Sequence, residues 1–384
     1  MIYFDYAATC PLDKDAADSY IQVSTQFFGN TSSLHDIGGG SARLLEQCRE
    51  TLAQLLAVDK RGLYFTSGGS ESNFLAIEAL LSAPLKKGKH IITSMAEHSS
   101  IHGTFKRLEK EGYEITCLPY LPKGIISMDA LKKEIREDTI LISIQHTNSE
   151  IGTLQPIEGI SKLCRLKQIH FHSDFVQAFG KSNIINLASS VSSFSFSSHK
   201  FYGPKGIGAV YIDPSIHWTP FLPGTSHERG IRPGTVNLPA ICAMTVAAEK
   251  AIHEMSERNK QYSVLRELFI KGLDQIDEKV TIHGSDIEGE QYPGIIGFSI
   301  DGVEGQWLML ECNRLGYAIS TGSACQAGMQ TPSKTMQALG ATGKKAKEFV
   351  RISFGRMTTS EDVKQLAHKI VNIALAFSKE SYVK

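Results

Sequence analysis

The chain has 384 residues, 42% apolar and 21% charged, with 40 Lys and Arg against 40 Asp and Glu. That length suits two domains with ample core, and the zero net charge excludes a general electrostatic grip on nucleic acid or an anionic membrane. No basic-then-apolar leader opens the chain and no apolar run approaches a membrane span, so a cytoplasmic location is expected.

Seven cysteines (Cys10, Cys48, Cys117, Cys164, Cys242, Cys312 and Cys325) lie scattered without a CxxC pair. They read as free thiols in a reducing compartment, with neither a disulfide framework nor a metal expected.

Taken in order, Ile2 to Asp5 reads as a short strand and helical patterning begins near Asp13. The run GNTSSLHDIGGG, Gly29 to Gly40, is rich in turn formers and predicts a loop. Ser41 to Ala57 has helical spacing that makes Cys48 a packing residue. Leu63 to Thr66 is an apolar strand, Ser67 to Ser70 a tight turn, and Glu71 to Leu81 a helix with Ser70 placed to cap it. A glycine turn feeding a helix N-terminus presents free N–H groups and a positive dipole end, which suit a phosphate. No Walker lysine and no GxGxxG accompany it, so neither a nucleoside triphosphate nor a dinucleotide is indicated.

Further strands are expected at His90 to Ser94, Ile140 to His146 and Ile169 to Ser173, alternating with helices such as Ile101 to Glu111 and Ile157 to Gln168. This is the pattern of a mostly parallel sheet covered on both faces, where ligands sit beyond the carboxyl ends of the strands. The stretch VSSFSFSSHKFYGPKGIG, Val191 to Gly208, alternates like a half-buried strand, then presents Lys200 ahead of a Gly/Pro-punctuated loop. An amine so placed suits a Schiff base with an aldehyde. After long amphipathic helices between Ala240 and Lys271, strands are expected at Ile295 to Ile300, Tyr317 to Ser320 and Phe349 to Phe354, with a last helix at Glu361 to Ala376. The fold class is therefore α/β, with a large domain over residues 13–250 and a smaller α+β domain from residues 1–12 and 251–384.

Ser70, His98, Asn148, Asp174 and Lys200 all fall at or just after strand ends, so one crevice can collect them. Together they match the needs of pyridoxal 5′-phosphate (PLP). Lys200 meets the aldehyde, Asp174 the protonated pyridine nitrogen, Ser70 and its neighbouring N–H groups the phosphate, and His98 stacks on the ring and moves protons.

Nine stretches carry a resemblance: YFDYAAT at Tyr3, FTSGGSESN at Phe65, AEHSS at Ala96, NSEIGTLQPI at Asn148, HSDFVQAFGK at His172, SFSSHKFYGPKGIGA at Ser195, ERGIRPGT at Glu228, STGSACQAG at Ser320 and RISFGRMTT at Arg351. With them the chain resembles the NifS/IscS-like cysteine desulfurases of the class V aminotransferase family. The resemblance implies the aspartate aminotransferase-like PLP fold type I with a seven-stranded, mostly parallel sheet, a homodimer, and conversion of L-cysteine to L-alanine with a persulfide left on the enzyme.

It also implies roles. Lys200 is the Schiff-base lysine, Asp174 the pyridine-nitrogen partner, and Gln177 the donor to the ring's phenolic oxygen. Gly69, Ser70, Ser197 and His199 hold phosphate, and Thr235 reaches the phosphate of the neighbouring subunit. Asn148 and Arg351 face the substrate, Arg351 holding its carboxylate, and Cys325 is the nucleophile that takes the sulfur. The acceptor would be a sulfur-acceptor protein, an iron–sulfur scaffold or a tRNA-thiolating enzyme. The chain departs from the family pattern at Cys10, Ser70, Ser149, His227 and Pro233. Competing readings are a selenocysteine lyase, another class V aminotransferase-type enzyme, or a sulfur-relay scaffold without activity.

Overall fold

Short apolar runs separated by helices build a seven-stranded sheet in the computed structural model, which describes residues 1–224, 226–322 and 333–381. The chain opens with β1 (Ile2–Tyr3), α1 (Lys14–Gln26) and α2 (Asp36–Leu56). Next come β2 (Leu63–Thr66), α3 (Gly69–Ser82), β3 (His90–Ser94), α4 (Ser99–Lys110), β4 (Glu114–Leu118), α5 (Met128–Glu134) and β5 (Thr139–Ser143). The sheet is completed by α6 (Ile157–Lys167), β6 (His170–Asp174), α7 (Ile185–Ala188), β7 (Ser193–Ser197) and β8 (Gly208–Ile212). Strand order is β2-β8-β7-β6-β5-β3-β4. β8 runs antiparallel to both neighbours, and all other pairs are parallel.

Every residue of β3, β5, β6, β7 and β8 is buried, as helices on both faces require. This corrects the half-buried reading of β7. Its Phe194 and Phe196 join the apolar core, while Ser193 and Ser195 turn to a dry polar network with His172 and Asn73. The period of two separates an apolar face from a hydrogen-bonded one, not protein from water.

The chain continues with α8 (Leu238–His253), α9 (Met255–Lys271), β9 (Val280–His283), β10 (Ile295–Ile300), α10 (Gly305–Arg314), β11 (Tyr317–Ala318), α11 (Lys334–Ala338), β12 (Phe349–Ser353) and α12 (Ser360–Ser381). Here an antiparallel sheet of order β12-β10-β9 packs Phe298, Val350 and Ile352 with Phe269 and Ile370 in a core of its own, distinct from the one holding Phe171, Phe194 and Ile241. β1 pairs in parallel with β11, tying the chain's start to this second core.

Several boundaries differ from expectation. α2 begins at Asp36 rather than beyond Gly40, with the His35 imidazole accepting from Gly38 N at 3.1 Å. Gly38 lies so close to Ser33 that a Cβ would sit 2.4 Å from the Ser33 carbonyl oxygen, so this glycine serves helix packing rather than a turn. Ser70 does not cap α3; the cap is Gly68, at φ +149°, and Ser70 lies within the first turn. The strand expected to reach His146 stops at Ser143, although Ile144 and His146 still donate to the carbonyls of His172 and Asp174. Among the described residues no helix is long and apolar enough to cross a membrane.

One buried ion pair ties the edge of the large sheet. Arg49 of α2 donates through both terminal nitrogens to Glu228 at 2.9 Å, each side chain only 3% exposed, and Glu228 also accepts from Phe65 N of β2 at 2.6 Å. Glu228 and Arg229 both hold left-handed backbone, at φ +45° and +54°, a conformation costly for non-glycine residues and sustained here by that clamp. Glu228→Gln is expected to lower the unfolding free energy by about 3 kcal/mol, because buried Arg49 loses its buried counter-ion and keeps only the half-exposed Glu46, 3.0 Å from its Nε. A urea midpoint close to that of the parent would contradict this account.

Candidate active site

The carboxyl ends of β2, β3, β5, β6 and β7 open on one side of the sheet and deliver Gly69 and Ser70, His98, Gln145, Asp174 and Lys200 to a cavity of about 240 Å³. Gln177, Ser197, His199 and Arg351 line the same cavity. Lys200 ends the turn after β7, and its ammonium donates to the carbonyls of Ala7 at 2.7 Å and Ala8 at 2.8 Å. Gln177 donates to the same Ala7 oxygen at 2.7 Å, so the segment after β1 holds both groups side by side.

Asp174 lies at the end of β6, buried, and is held by a directed chain of hydrogen bonds. Val176 N donates to its Oδ1 at 2.8 Å, and Asn73 Nδ2 to its Oδ2 at 2.8 Å. Asn73 Oδ1 accepts from Ser195 and lies 3.1 Å from His172 Nε2, whose Nδ1 meets Ser193 at 2.8 Å. Burial pushes the His172 pKa down to about 3, so the ring is neutral, donating to Asn73 and accepting from Ser193. The acceptor-only carboxylate of Asp174 sets Asn73 with its Nδ2 forward and its Oδ1 toward Ser195 and His172, and these bonds together hold the carboxylate in place.

His98 precedes α4 on the cavity wall and caps it, its Nδ1 accepting from Ser100 N at 3.2 Å and meeting Ser100 Oγ at 2.8 Å. Loss of solvent lowers its pKa first of all, with Asp174 opposing and Lys200 reinforcing, which favours the neutral ring. Behind it Glu97 is buried, and burial pushes its carboxyl up to about 8 despite hydrogen bonds from Ser94 and Gln145 N.

At the start of α3 a Cβ on Gly69 would sit 2.6 Å from Val176 Cγ2, so glycine lets the helix N-terminus approach Val176 closely on the cavity wall. Ser197 is buried beside it. His199 meets Thr9 Oγ1 at 3.1 Å, and burial followed by the charges of Lys200, Lys181 and Lys205 pushes its pKa down to about 4. The arrangement offers backbone N–H groups, a hydroxyl and a neutral imidazole to an anion.

Arg351, on β12 and 2% exposed, donates to Asp5 Oδ1 at 2.6 Å and to the Ser149 carbonyl at 3.0 Å, while its Nε is buried without a partner among the described residues. Two sequence-predicted residues stand apart from the cavity. Asn148 turns its side chain away: Oδ1 accepts from Glu150 N and Ile151 N at 2.9 Å, and Nδ2 donates to Thr335 at 3.0 Å. The neighbouring Thr147 and Ser149 occupy the wall instead. Thr235 is exposed, away from the cavity lining. Cys325 lies outside the described residues. Cys10 is buried, its pKa raised by burial, and its thiol lies 3.4 Å from the Lys200 carbonyl, a packing position.

Sequence reasoning missed Asn73, Asp5 and Glu97. A signal existed for each, since Asn73 lies one turn past Gly69 on α3, Asp5 lies two residues past β1 and Glu97 adjoins His98. Only their partners, from remote strands, make them part of the site.

Against known proteins, the family model described as aminotransferase class-V matches residues 2–366. The chain is 47% identical over 368 residues to the NifS protein of Bacillus subtilis strain 168, covering 96% of this chain and 93% of that one. It is 40% identical over 372 residues to the cysteine desulfurase IscS of Neisseria gonorrhoeae, covering 96% and 91%. Among solved structures a NifS-like protein superposes with a TM-score of 0.88 at 30% identity, over 98% of this chain and 99% of the other. The sheet order, the cavity beyond its carboxyl edge and these matches agree: the chain belongs to the class V aminotransferase family, with the α/β architecture of PLP fold type I.

Proposed function

We propose that this chain is a PLP-dependent cysteine desulfurase, converting L-cysteine to L-alanine and leaving a persulfide on Cys325. The observation that carries this reading is the gathering of Lys200, Asp174, Gln177, Ser197, His199 and Arg351 around one cavity. That cavity lies in a chain 40–47% identical to NifS and IscS proteins over most of its length. The residues fit PLP: Lys200 for its aldehyde, Asp174 for its pyridine nitrogen, Gln177 for its phenolic oxygen, and the start of α3 at Gly69 and Ser70 with Ser197 and His199 for its phosphate. When bound, PLP supplies an electron sink for the carbon from which the substrate proton is taken.

Lys200 removes that proton, and the neutral His98 moves protons at the same carbon. Arg351 holds the substrate carboxylate with its planar fork, its guanidinium already aimed by Asp5 and the Ser149 carbonyl. The Cys325 thiolate attacks the substrate sulfur. The sulfur–carbon bond breaks, a sulfur–sulfur bond forms, and the carbon takes a proton to give alanine.

We further propose a large domain of residues 13–250, a smaller one of residues 1–12 and 251–384, and a homodimer in which Thr235 reaches the neighbour's phosphate. The protein would work in the cytoplasm and pass sulfur to an acceptor protein, an iron–sulfur scaffold or a tRNA-thiolating enzyme. With L-cysteine, PLP and a thiol reductant, the purified protein should release alanine and sulfide in equal amounts. Alanine without sulfide, or amino transfer to an oxo acid, would point to a different class V reaction.

A further inference from the structure

Gln177 is an amide with two chemically opposite ends, and what it offers the cavity depends on which way it is turned. Its nitrogen donates to Ala7 O at 2.7 Å, and its oxygen accepts from Lys181 Nζ at 2.6 Å. Ala7 O can only accept and an ammonium can only donate. Turned over, the amide would set its NH2 against the ammonium and its carbonyl against a carbonyl. Gln177 is left with one orientation, its NH2 end beside Lys200 on the cavity wall.

Lys181 is brought there deliberately by the backbone. Gly180 takes φ +66°, and a Cβ at that residue would lie 2.7 Å from Ala251 Cβ, so the reversal needs glycine. The chain then folds back: Lys181 N donates to Ala178 O at 3.0 Å, and Asn259 of α9 donates to Lys181 O at 2.8 Å. The groups around its amine are Cys10, Arg258 and Arg351, and among the described residues no carboxylate forms an ion pair with it. A half-buried ammonium near two arginines, with no carboxylate paired to it among the described residues, is a costly choice for packing alone. Burial first, with Cys10 opposing and Arg351 and Arg258 adding to it, brings its pKa down to about 8, so at neutral pH the group is still a cation and an obligate donor.

We propose that Lys181 is a positioning residue that fixes the amide of Gln177, so that its N–H rather than its carbonyl faces the ring's phenolic oxygen. This rests on the reading of the cavity as a PLP site. An N–H donor on that oxygen competes for it with the proton responsible for the yellow absorbance of PLP-loaded protein, so losing the donor raises the pH midpoint of that absorbance.

The test compares pH titrations of visible absorbance for PLP-loaded parent, Lys181→Met, Lys181→Arg, Gln177→Leu and the double variant Gln177→Leu/Lys181→Met. Lys181→Met should raise the midpoint by about one pH unit, the size expected of one charge-assisted hydrogen bond. Gln177→Leu should raise it at least as far, since the Ala7 carbonyl still favours the same amide orientation in Lys181→Met, and the double variant should titrate like Gln177→Leu. Lys181→Arg, which keeps an obligate donor, should titrate like the parent. If Gln177→Leu moves the midpoint and Lys181→Met does not, the role of Lys181 is overturned while the PLP site stands. If Gln177→Leu leaves it unmoved, Gln177 does not face the ring and the inference falls with that reading. A Lys181→Arg midpoint as high as that of Lys181→Met also counts against it. Where Lys181→Met fails to fold, Lys181→Gln, which can accept as well as donate, takes its place with a smaller shift in the same direction.

Discussion

Lys200→Ala is expected to abolish the visible absorbance of protein incubated with PLP and to lower alanine formation from L-cysteine by about 10^4-fold, the upper range for a lost general acid–base group. The size follows from the two tasks that meet on one amine. It forms the covalent link to the aldehyde, and it takes the proton from the substrate carbon; neither Ala7 O nor Ala8 O, its present partners, can do either. The loss should be chemical rather than structural. The hydrogen bonds given up to the two carbonyls are each worth about 1.5–3 kcal/mol, and the desolvation of the ammonium is given up with them, too little in balance to unfold a chain with two large cores. Far-UV circular dichroism and absorbance with and without borohydride check both halves. A Lys200→Ala protein that keeps a borohydride-reducible absorbance would remove Lys200 from its assigned role.

Cys325→Ser should do the opposite to the spectrum and the same to the turnover. The visible absorbance stays, and sulfide release in the presence of a thiol reductant falls by about 10^3-fold or more, because a serine hydroxyl is not ionised at neutral pH and cannot accept sulfur as a persulfide. Cys325 itself is outside the described residues; the described residues before and after it are held by Arg351 on one side and by the turn after β5 on the other. Ser320 pairs with the backbone of Arg351 in both directions, at 2.7 and 3.0 Å. On the far side Ser333 donates to Glu150, and Thr335 receives Asn148 Nδ2. Unchanged sulfide release in Cys325→Ser would exclude the persulfide route and favour an aminotransferase-type reaction, which has no use for that thiol.

The contacts of Asn148 explain why its side chain is not on the cavity wall. Its position just past β5 is that of a ligand-facing residue, and its immediate neighbours Thr147 and Ser149 do face the cavity. Its own side chain is taken up by the turn at Glu150 and Ile151 and by Thr335, a partner 187 residues away. Ser70 failed as a cap for a local reason: Gly68 adopts a backbone closed to serine and starts the helix early. β4 and β8 carry no clear strand signal in the sequence, because one is a partly exposed edge strand and the other begins inside a glycine-rich run that reads as loop.

Local chemistry was enough to mark the strands that end in Asp174 and Lys200, the glycine turn before α3, and the set of residue types that suits PLP. These features repeat over a few residues, where hydrophobic period and turn preference act directly. What only the tertiary structure decided is which way the side chains point and who holds them. Arg351 meets Asp5 across 346 residues of sequence, Asn73 reaches Asp174 across 101, and Gln177 takes its orientation from Ala7 on one side and Lys181 on the other. A hydrogen bond needs a partner within about 3 Å at the right angle, and no local pattern specifies that. It is set by the packing of strands and helices far apart in the chain.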